Sequence, residues 1–261
     1  MSYIEVNNIS FSYAGDSRLI LKDLNMNIEE GDFVCLLGQS GCGKSTLLRL
    51  LGGLEHPNSG NLICNGQEIK GAGLDRSIVF QDYGLFPWKS TGENIRLALR
   101  KKYPKKSKRE LKEIVCKNLE NVGLSRDIYN KYPKELSGGM QQRSAIARSF
   151  SIDAPILLMD EPFGALDAVT RAKLQNLLIE LWGKDEKRKT VIFVTHDVDE
   201  ALLLANKIFV LGQAPSKVIF SCEKELCNIE NRESMLQDER ISNLRSDLIH
   251  YINQDVLNRM D

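Results

Sequence analysis

Uninterrupted apolar runs punctuate the chain, among them Phe33-Val34-Cys35-Leu36-Leu37, Ile156-Leu157-Leu158-Met159 and Val191-Ile192-Phe193-Val194. Runs of this length between turn residues predict strands buried on both faces, as in a parallel sheet. Arg76-Ser77-Ile78-Val79-Phe80 predicts another, ending at Gln81. The N-terminal stretch differs. Ile4, Val6, Ile9 and Phe11 alternate with polar residues, with a shift across Asn7-Asn8, and Ile20, Leu21, Leu24, Met26 and Ile28 follow as a second strand. Alternation marks a sheet with one face in the core. Asp16-Ser17 and Pro57-Asn58-Ser59-Gly60 are expected turns. Leu62-Ile63-Cys64 and Glu68-Ile69 flank Asn65-Gly66 as a short hairpin, and Ile208–Leu211 and Val218–Phe220 form a closing pair of strands.

Helical spacing occupies the intervals. Ser90-Thr91-Gly92-Glu93 and the pair Ser107 and Glu110 have the capping-box pattern. Leu111, Ile114, Val115, Leu119 and Val122 then recur on one helical face, and Ser137 is an N-cap for a helix through Phe150. Residues 88–150 are therefore expected to be mostly helical, inserted between strands. Leu174, Leu177, Leu178 and Leu181 predict one apolar stripe, and Asp197 and Glu200 open a further helix. From residue 222 the chain turns polar and helical, with Met235, Leu236, Ile241, Leu244, Leu248, Ile249, Ile252 and Leu257 at helix-like spacing. No repeat and no linker to a second domain is visible. The expected class is α/β.

Composition narrows the function. Lys+Arg and Asp+Glu are 35 each, which argues against the basic face that general nucleic-acid binding needs. The opening MSYIEVNNIS has no basic-then-apolar leader, and no stretch of about eighteen apolar residues spans a membrane. The six cysteines (35, 42, 64, 116, 222, 227) have no metal-ligand spacing, so a reduced cytosolic protein is expected. Cys42 stands near Lys44, where it is either a thiol of lowered pKa open to alkylation or a tolerated small residue. Arg100 to Arg109 is dense in Lys and Arg around Tyr103-Pro104. Such a run is usually a solvated face, and contact with anionic headgroups is its other use. Leu85-Phe86-Pro87-Trp88 is apolar in a loop, so it covers a helix of its own lobe or docks another protein.

The chemistry begins after the first apolar run. Gly38-Gln39-Ser40-Gly41-Cys42-Gly43-Lys44-Ser45-Thr46 fits G-x-x-x-x-G-K-[ST], and an apolar helix follows. Glycines let the backbone curl until its N–H groups point inward at a polyphosphate, and the helix start adds its positive dipole end. Lys44 suits the outer phosphates and the Ser45 hydroxyl suits Mg²⁺. Three other strands end in polar groups: Gln81, Asp160-Glu161 and His196. Convergence of such groups at one sheet edge is where α/β proteins hold ligands. Asp160 suits Mg²⁺ held through water, and Glu161 suits orienting or deprotonating an attacking water. Gly138-Gly139 in a helix's first turn is either a flexible start or room for a phosphate at the N–H groups. Tyr13, closing a first strand expected over residues 3–13, is either an edge-strand tyrosine or an adenine-stacking ring.

In this order and company, residues 3–212 resemble the ATP-binding subunits of ABC transporters. GQSGCGKST looks like Walker A, Gln81 the Q-loop glutamine, LSGGMQQR at 136–143 the signature, and ILLMDEP at 156–162 Walker B. Ala165-Leu166-Asp167 looks like the D-loop, His196 the switch histidine, and Tyr13 falls at the adenine-stacking aromatic. QDYGLFPWKSTGENI, GALDAVTR and VTHDVDEALLLA are similar to importers of nitrate, sulfonate and taurine. Two departures stand out. Gln39 replaces the more usual Pro, and Leu211-Gly212-Gln213-Ala214-Pro215 replaces an arginine-glycine turn.

The resemblance implies a P-loop NTPase core with a mostly parallel sheet, an antiparallel β subdomain and an inserted helical subdomain. It places the ATPase domain at 1–221, the insert at about 88–150 and a C-terminal extension at 222–261. It implies ATP and Mg²⁺ as cofactors. ATP would be held by Tyr13, by residues 38–46 and, from a second copy, by Ser137, Gly138, Gly139, Gln141 and Asp167. The metal would rest on Ser45, Gln81 and Asp160, and catalysis on Glu161, His196, Gln81 and Lys44. The implied partners are a twin subunit in C₂ symmetry, a membrane permease docking near Phe86, Pro87 and Trp88, and a substrate-binding protein, with no nucleic acid. The implied location is the inner face of the cell membrane, peripherally attached. The rivals are a soluble ATPase acting on nucleic acid or ribosomes, which usually carries two cassettes or an inserted coiled coil, and a catalytically silent regulatory subunit.

Overall fold

The protein is described by a computed structural model over residues 3–164, 166–183, 188–223 and 238–257. Ala165, Cys227, Met235 and Leu236 lie outside the described residues. The chain forms two compact units, Met1–Gly73 with Lys187–Asp261, and Leu74–Glu186.

The first unit holds two sheets. β1 (Ile4–Phe11), β2 (Leu21–Ile28), β4 (Ser59–Cys64) and β5 (Gln67–Glu68) make an antiparallel sheet in the order β2-β1-β4-β5. The apolar set of β1 changes parity between Val6 and Ile9, and a bulge absorbs the change. Asn8 takes φ 51°, and its backbone N–H donates to the Asn25 side chain at 2.9 Å. Ile4, Val6, Ile9 and Phe11 are thereby all buried. The expected turn at Asp16-Ser17 lies two places earlier, at Ala14-Gly15, where Gly15 supplies a φ of 83°. Ser59 and Gly60 belong to β4 rather than to the turn before it.

The second sheet carries the phosphate-loop strand. β3 (Phe33–Leu37) lies between β8 (Thr190–Thr195) and β9 (Lys207–Leu211), parallel to both, and β10 (Val218–Glu223) closes antiparallel on β9. Every residue of β3 and β8 is buried, as the unbroken apolar runs require. Leu37 pairs with Thr195 and Val210, so three strands end at one edge. Among the described residues, α1 (Lys44–Leu51), α6 (Val198–Leu204) and α7 (Glu239–Leu257) are the α-helices of this unit.

The second unit pairs β6 (Arg76–Val79) parallel with β7 (Ile156–Asp160) and adds α2 (Thr91–Lys102), α3 (Lys108–Asn121), α4 (Gly138–Ser151) and α5 (Ala168–Gly183). Both capping boxes form: Ser90 accepts from the Glu93 N–H and Ser107 from the Glu110 N–H, and each glutamate bonds back to the cap N–H. Such a cap is worth about 1 kcal/mol. Gly92 is required by packing, because a Cβ there would stand 2.3 Å from a ring carbon of Tyr129. The expected leucine stripe of α5 is corrected. Leu174 and Leu178 are buried, but Gln175 and Trp182 complete the buried face while Leu177 and Leu181 are half-exposed. Leu174, Leu178 and Trp182 stand four residues apart on one helical face, so the inner face lies one position away from the one the leucines suggested.

Candidate nucleotide site

In the first unit the loop leaves β3 at Gly38 and enters α1 at Lys44. Gly41 and Gly43 take φ of 80° and 98°, the left-handed conformation that turns successive N–H groups inward. Gly38 is needed for another reason. A Cβ there would meet the Leu211 carbonyl oxygen at 2.7 Å and Cys42 Sγ at 2.8 Å. Lys44 is buried, and its Nζ donates to the carbonyls of Gly38 and Gln39 at 2.8 Å each. The ammonium is thus held inside the loop that it would share with phosphate oxygens. Ser45 and Thr46 follow in the first turn of α1. Tyr13 lies past the end of β1, so it is not an edge-strand residue. Its hydroxyl shares a hydrogen bond with Thr46 Oγ1 at 3.1 Å, and Phe11 packs edge-on to its ring at 5.0 Å.

His196 follows the end of β8, exposed. The corner beneath it is stiff. Thr195 Oγ1 donates to Glu200 Oε2 at 2.7 Å, the Asp197 N–H donates to Thr195 Oγ1 at 3.0 Å, and Asp197 caps α6. Because β3 and β8 are register neighbours, Gly38 and His196 leave the sheet side by side.

The expectation of an activated Cys42 is overturned. Its side chain is buried, and burial pushes the thiol pKa up despite the opposing pull of Lys44. The loop carbonyls hold the ammonium, and Lys44 Nζ is 3.9 Å from Sγ. The thiolate is therefore scarce at neutral pH, and reactivity climbs only as pH passes the raised pKa. We expect native-state labelling with N-ethylmaleimide at pH 7, mapped by peptide mass spectrometry, to modify half-buried Cys222 well before Cys42. Prompt labelling of Cys42 would contradict this burial.

The second unit carries the other polar groups. Val79 pairs with Met159, so Gln81 and Glu161 leave adjacent strand ends together, with Gln81 Nε2 3.5 Å from Glu161 Oε2. Asp160 is buried at the end of β7. Glu161 takes φ 42°, a left-handed backbone unusual for a non-glycine residue and common where a functional side chain is aimed. In α4, Ser137 Oγ accepts from the Met140 N–H, and Gln141 Nε2 donates to the Leu136 carbonyl at 3.2 Å. Gly138 has room for a side chain, since a Cβ there would only touch the Tyr83 hydroxyl at 3.8 Å. Gly139 does not, since a Cβ there would stand 2.8 Å from the Thr170 methyl, so packing against α5 explains that glycine without a ligand. Asp167 caps α5 through the N–H groups of Val169 and Thr170, which holds its carboxyl below the usual range.

Three contributors escaped the sequence analysis. Arg148 of α4, half-buried, donates to the carbonyls of Tyr83 and Gly84, tying the segment after Gln81 to α4. Burial lowers its pKa, and Asp82 opposes the shift. Asn94 is buried and spends its side chain on the backbone of Phe86, Lys89 and Ser90, which fixes the apolar loop. In that loop Trp88 is 69% exposed, 5.4 Å from the Phe86 ring, so it does not cover its own lobe. Lys102, inside the basic run, donates to the carbonyls of Ile152 and Asp153 just past the end of α4, so part of that run is structural. A capping asparagine or a tethering arginine carries no periodic signature; only the fold reveals its partner.

Ser45 and Asp160 are each chemically suited to Mg²⁺. A serine hydroxyl and a carboxylate are hard oxygen ligands, and Mg²⁺ keeps waters and takes phosphate oxygens, so few protein groups suffice. Among the described residues, no three His, Cys, Asp or Glu side chains gather into an all-protein cage. Among the described residues, no helix is long and apolar enough to cross a membrane.

Comparison with known proteins supplies the family. The family model described as ABC transporter matches residues 21–164. The nitrate import ATP-binding protein NrtD of Synechococcus elongatus is 43% identical over 233 residues, 89% of this chain and 84% of that protein. The nitrate transport protein NasD of Klebsiella oxytoca is 39% identical over 253 residues, 95% of each. The dimeric post-hydrolysis structure of the ATP-binding cassette MJ0796, bound to ADP and Pi, is similar at a TM-score of 0.75 and 32% identity, covering 85% of this chain and 99% of that one. The nucleic-acid and ribosome alternative finds no support in these relatives. This chain belongs to the ABC transporter family, as an ATP-binding and ATP-hydrolysing subunit of the import class, whose members work as dimers with permease subunits.

Proposed function

We propose that this chain energises uptake of a small anion of the nitrate class. The observation that carries this reading is the end-to-end likeness to NasD, 95% of both chains at 39% identity. Residues 1–221 form the ATPase domain, about 88–150 the helical insert, and 222–261 a C-terminal extension.

ATP lies in the loop 38–46, its adenine on Tyr13 and its outer phosphates beside Lys44. A second copy seals the site with Ser137, Gly138, Gly139, Gln141 and Asp167, the first four from the opening of a helix whose N–H groups favour anions. Ser45, Asp160 and Gln81 would hold Mg²⁺, which when bound would neutralise phosphate charge. Transfer of the γ-phosphoryl group to water needs positioning and charge neutralisation. Glu161 orients and polarises the water, Gln81 holds the glutamate's oxygen, and His196 holds the γ-phosphate. Phe86, Pro87 and Trp88 receive the permease, with a substrate-binding protein on the far side. The chain works at the inner face of the membrane.

Reconstitution with the cognate permease and binding protein in proteoliposomes tests the substrate. Nitrate is expected to stimulate ATP hydrolysis, and stimulation by taurine alone would reassign the class. Docking has its own test. An exposed aromatic anchor contributes about 2 kcal/mol or more at an interface. The double variant Phe86→Ala, Trp88→Ala is expected to retain ATP hydrolysis in solution and to lose most permease-coupled transport. Unimpaired transport would move the docking surface elsewhere.

A further inference from the structure

The two departures from the family pattern, Gln39 and the turn after β9, touch each other. Gln213 Nε2 donates to Gln39 Oε1 at 3.3 Å, across 174 positions of sequence. The turn itself is fixed from α7: the Gln213 N–H donates to Asp255 Oδ2 at 2.7 Å. Contact is tight at both ends. A Cβ on Gly212 would meet Asp255 Oδ1 at 2.9 Å, and one on Gly38 would meet the Leu211 carbonyl at 2.7 Å. α7 is anchored independently. Leu248 is fully buried, Arg245 pairs with Asp199 of α6 at 2.7 Å, and Tyr251 stacks on Phe220 of β10 at 4.4 Å.

Gln39 also offers its backbone carbonyl to Lys44 Nζ at 2.8 Å. A proline at position 39 would fix the backbone through its ring, whereas glutamine leaves φ free. Here a side-chain tether from a distant turn supplies the restraint instead. We infer that Gln213 is a positioning residue for the phosphate loop: it holds Gln39, and through Gln39 the carbonyl that orients Lys44, from a turn clamped by Asp255 of the C-terminal helix. α7 thereby gains an input to nucleotide affinity, because any displacement of Asp255 releases the tether. The inference rests on the reading that loop 38–46 binds ATP.

The test uses the full chain, with ATP affinity from a fluorescent-nucleotide titration and steady-state kinetics. Gln213→Ala is expected to raise KM for ATP about three- to tenfold, as loss of one hydrogen bond predicts, with kcat within about twofold. Gln39→Ala should do the same, and the double variant should be no worse than either single, because both remove one interaction. Asp255→Ala should repeat the effect. Asp255→Asn, which keeps an oxygen to accept the Gln213 N–H, should restore the parent KM. A merely structural role would lower the melting temperature and kcat without this shift in KM or this rescue. An unchanged KM in Gln213→Ala, or multiplied effects in the double variant, overturns the inference. Lys44→Ala separates the two levels: if it abolishes nucleotide binding while Gln213→Ala changes nothing, the tether falls and the loop assignment stands. If Lys44→Ala binds normally, the loop assignment itself falls.

Discussion

Glu161→Gln is expected to bind ATP as tightly as the parent chain and to hydrolyse it at least about a hundredfold more slowly, the scale of losing a positioned general base. The substitution is nearly isosteric. It leaves the turn at φ 42° and the side-chain neighbour Gln81 in place while removing the negative charge that polarises water. Loss of turnover without loss of binding should also trap the closed dimer, since opening follows hydrolysis. Phosphate release under single-turnover conditions and size-exclusion chromatography with ATP read both effects. Hydrolysis at the parent rate would remove Glu161 from its assigned role.

Lys44→Ala should lose nucleotide binding by about 10- to 100-fold, the range for a charged hydrogen-bonding partner. The side chain is buried, and its ammonium already satisfies the Gly38 and Gln39 carbonyls at 2.8 Å. Alanine therefore removes the counter-charge for the β and γ oxygens and also leaves two loop carbonyls without that donor. Isothermal titration gives the affinity, and thermal melting separates a disordered loop from a folded one that cannot bind. A folded variant with parent affinity would refute the phosphate-loop role.

Much of this molecule was legible residue by residue. Unbroken apolar runs became the buried strands β3, β7 and β8, because a strand covered on both faces has no position for a polar side chain. Ser90 with Glu93 and Ser107 with Glu110 formed capping boxes, because their partners lie three residues away. The parity shift at Asn7-Asn8 became a bulge for the same local reason. The phosphate-loop pattern and the strand-end carboxylates were read from residue spacing, whereas the signature at 136–143 was read only through resemblance to the family.

What the chain alone left open depended on neighbours far away in sequence. Burial decided the Cys42 thiol, against the nearby lysine that suggested activation. The space beside Thr170 gave Gly139 a packing reason, and the fold turned inward the face of α5 that carries Gln175 and Trp182. Arg148 found its carbonyl partners 64 and 65 positions away, and Gln213 found Gln39 at 174. Local rules fix dihedrals, caps and the face a strand presents. They carry no information on which distant polar group will meet another once water is excluded, and that meeting is settled only by the closed packing of the folded chain.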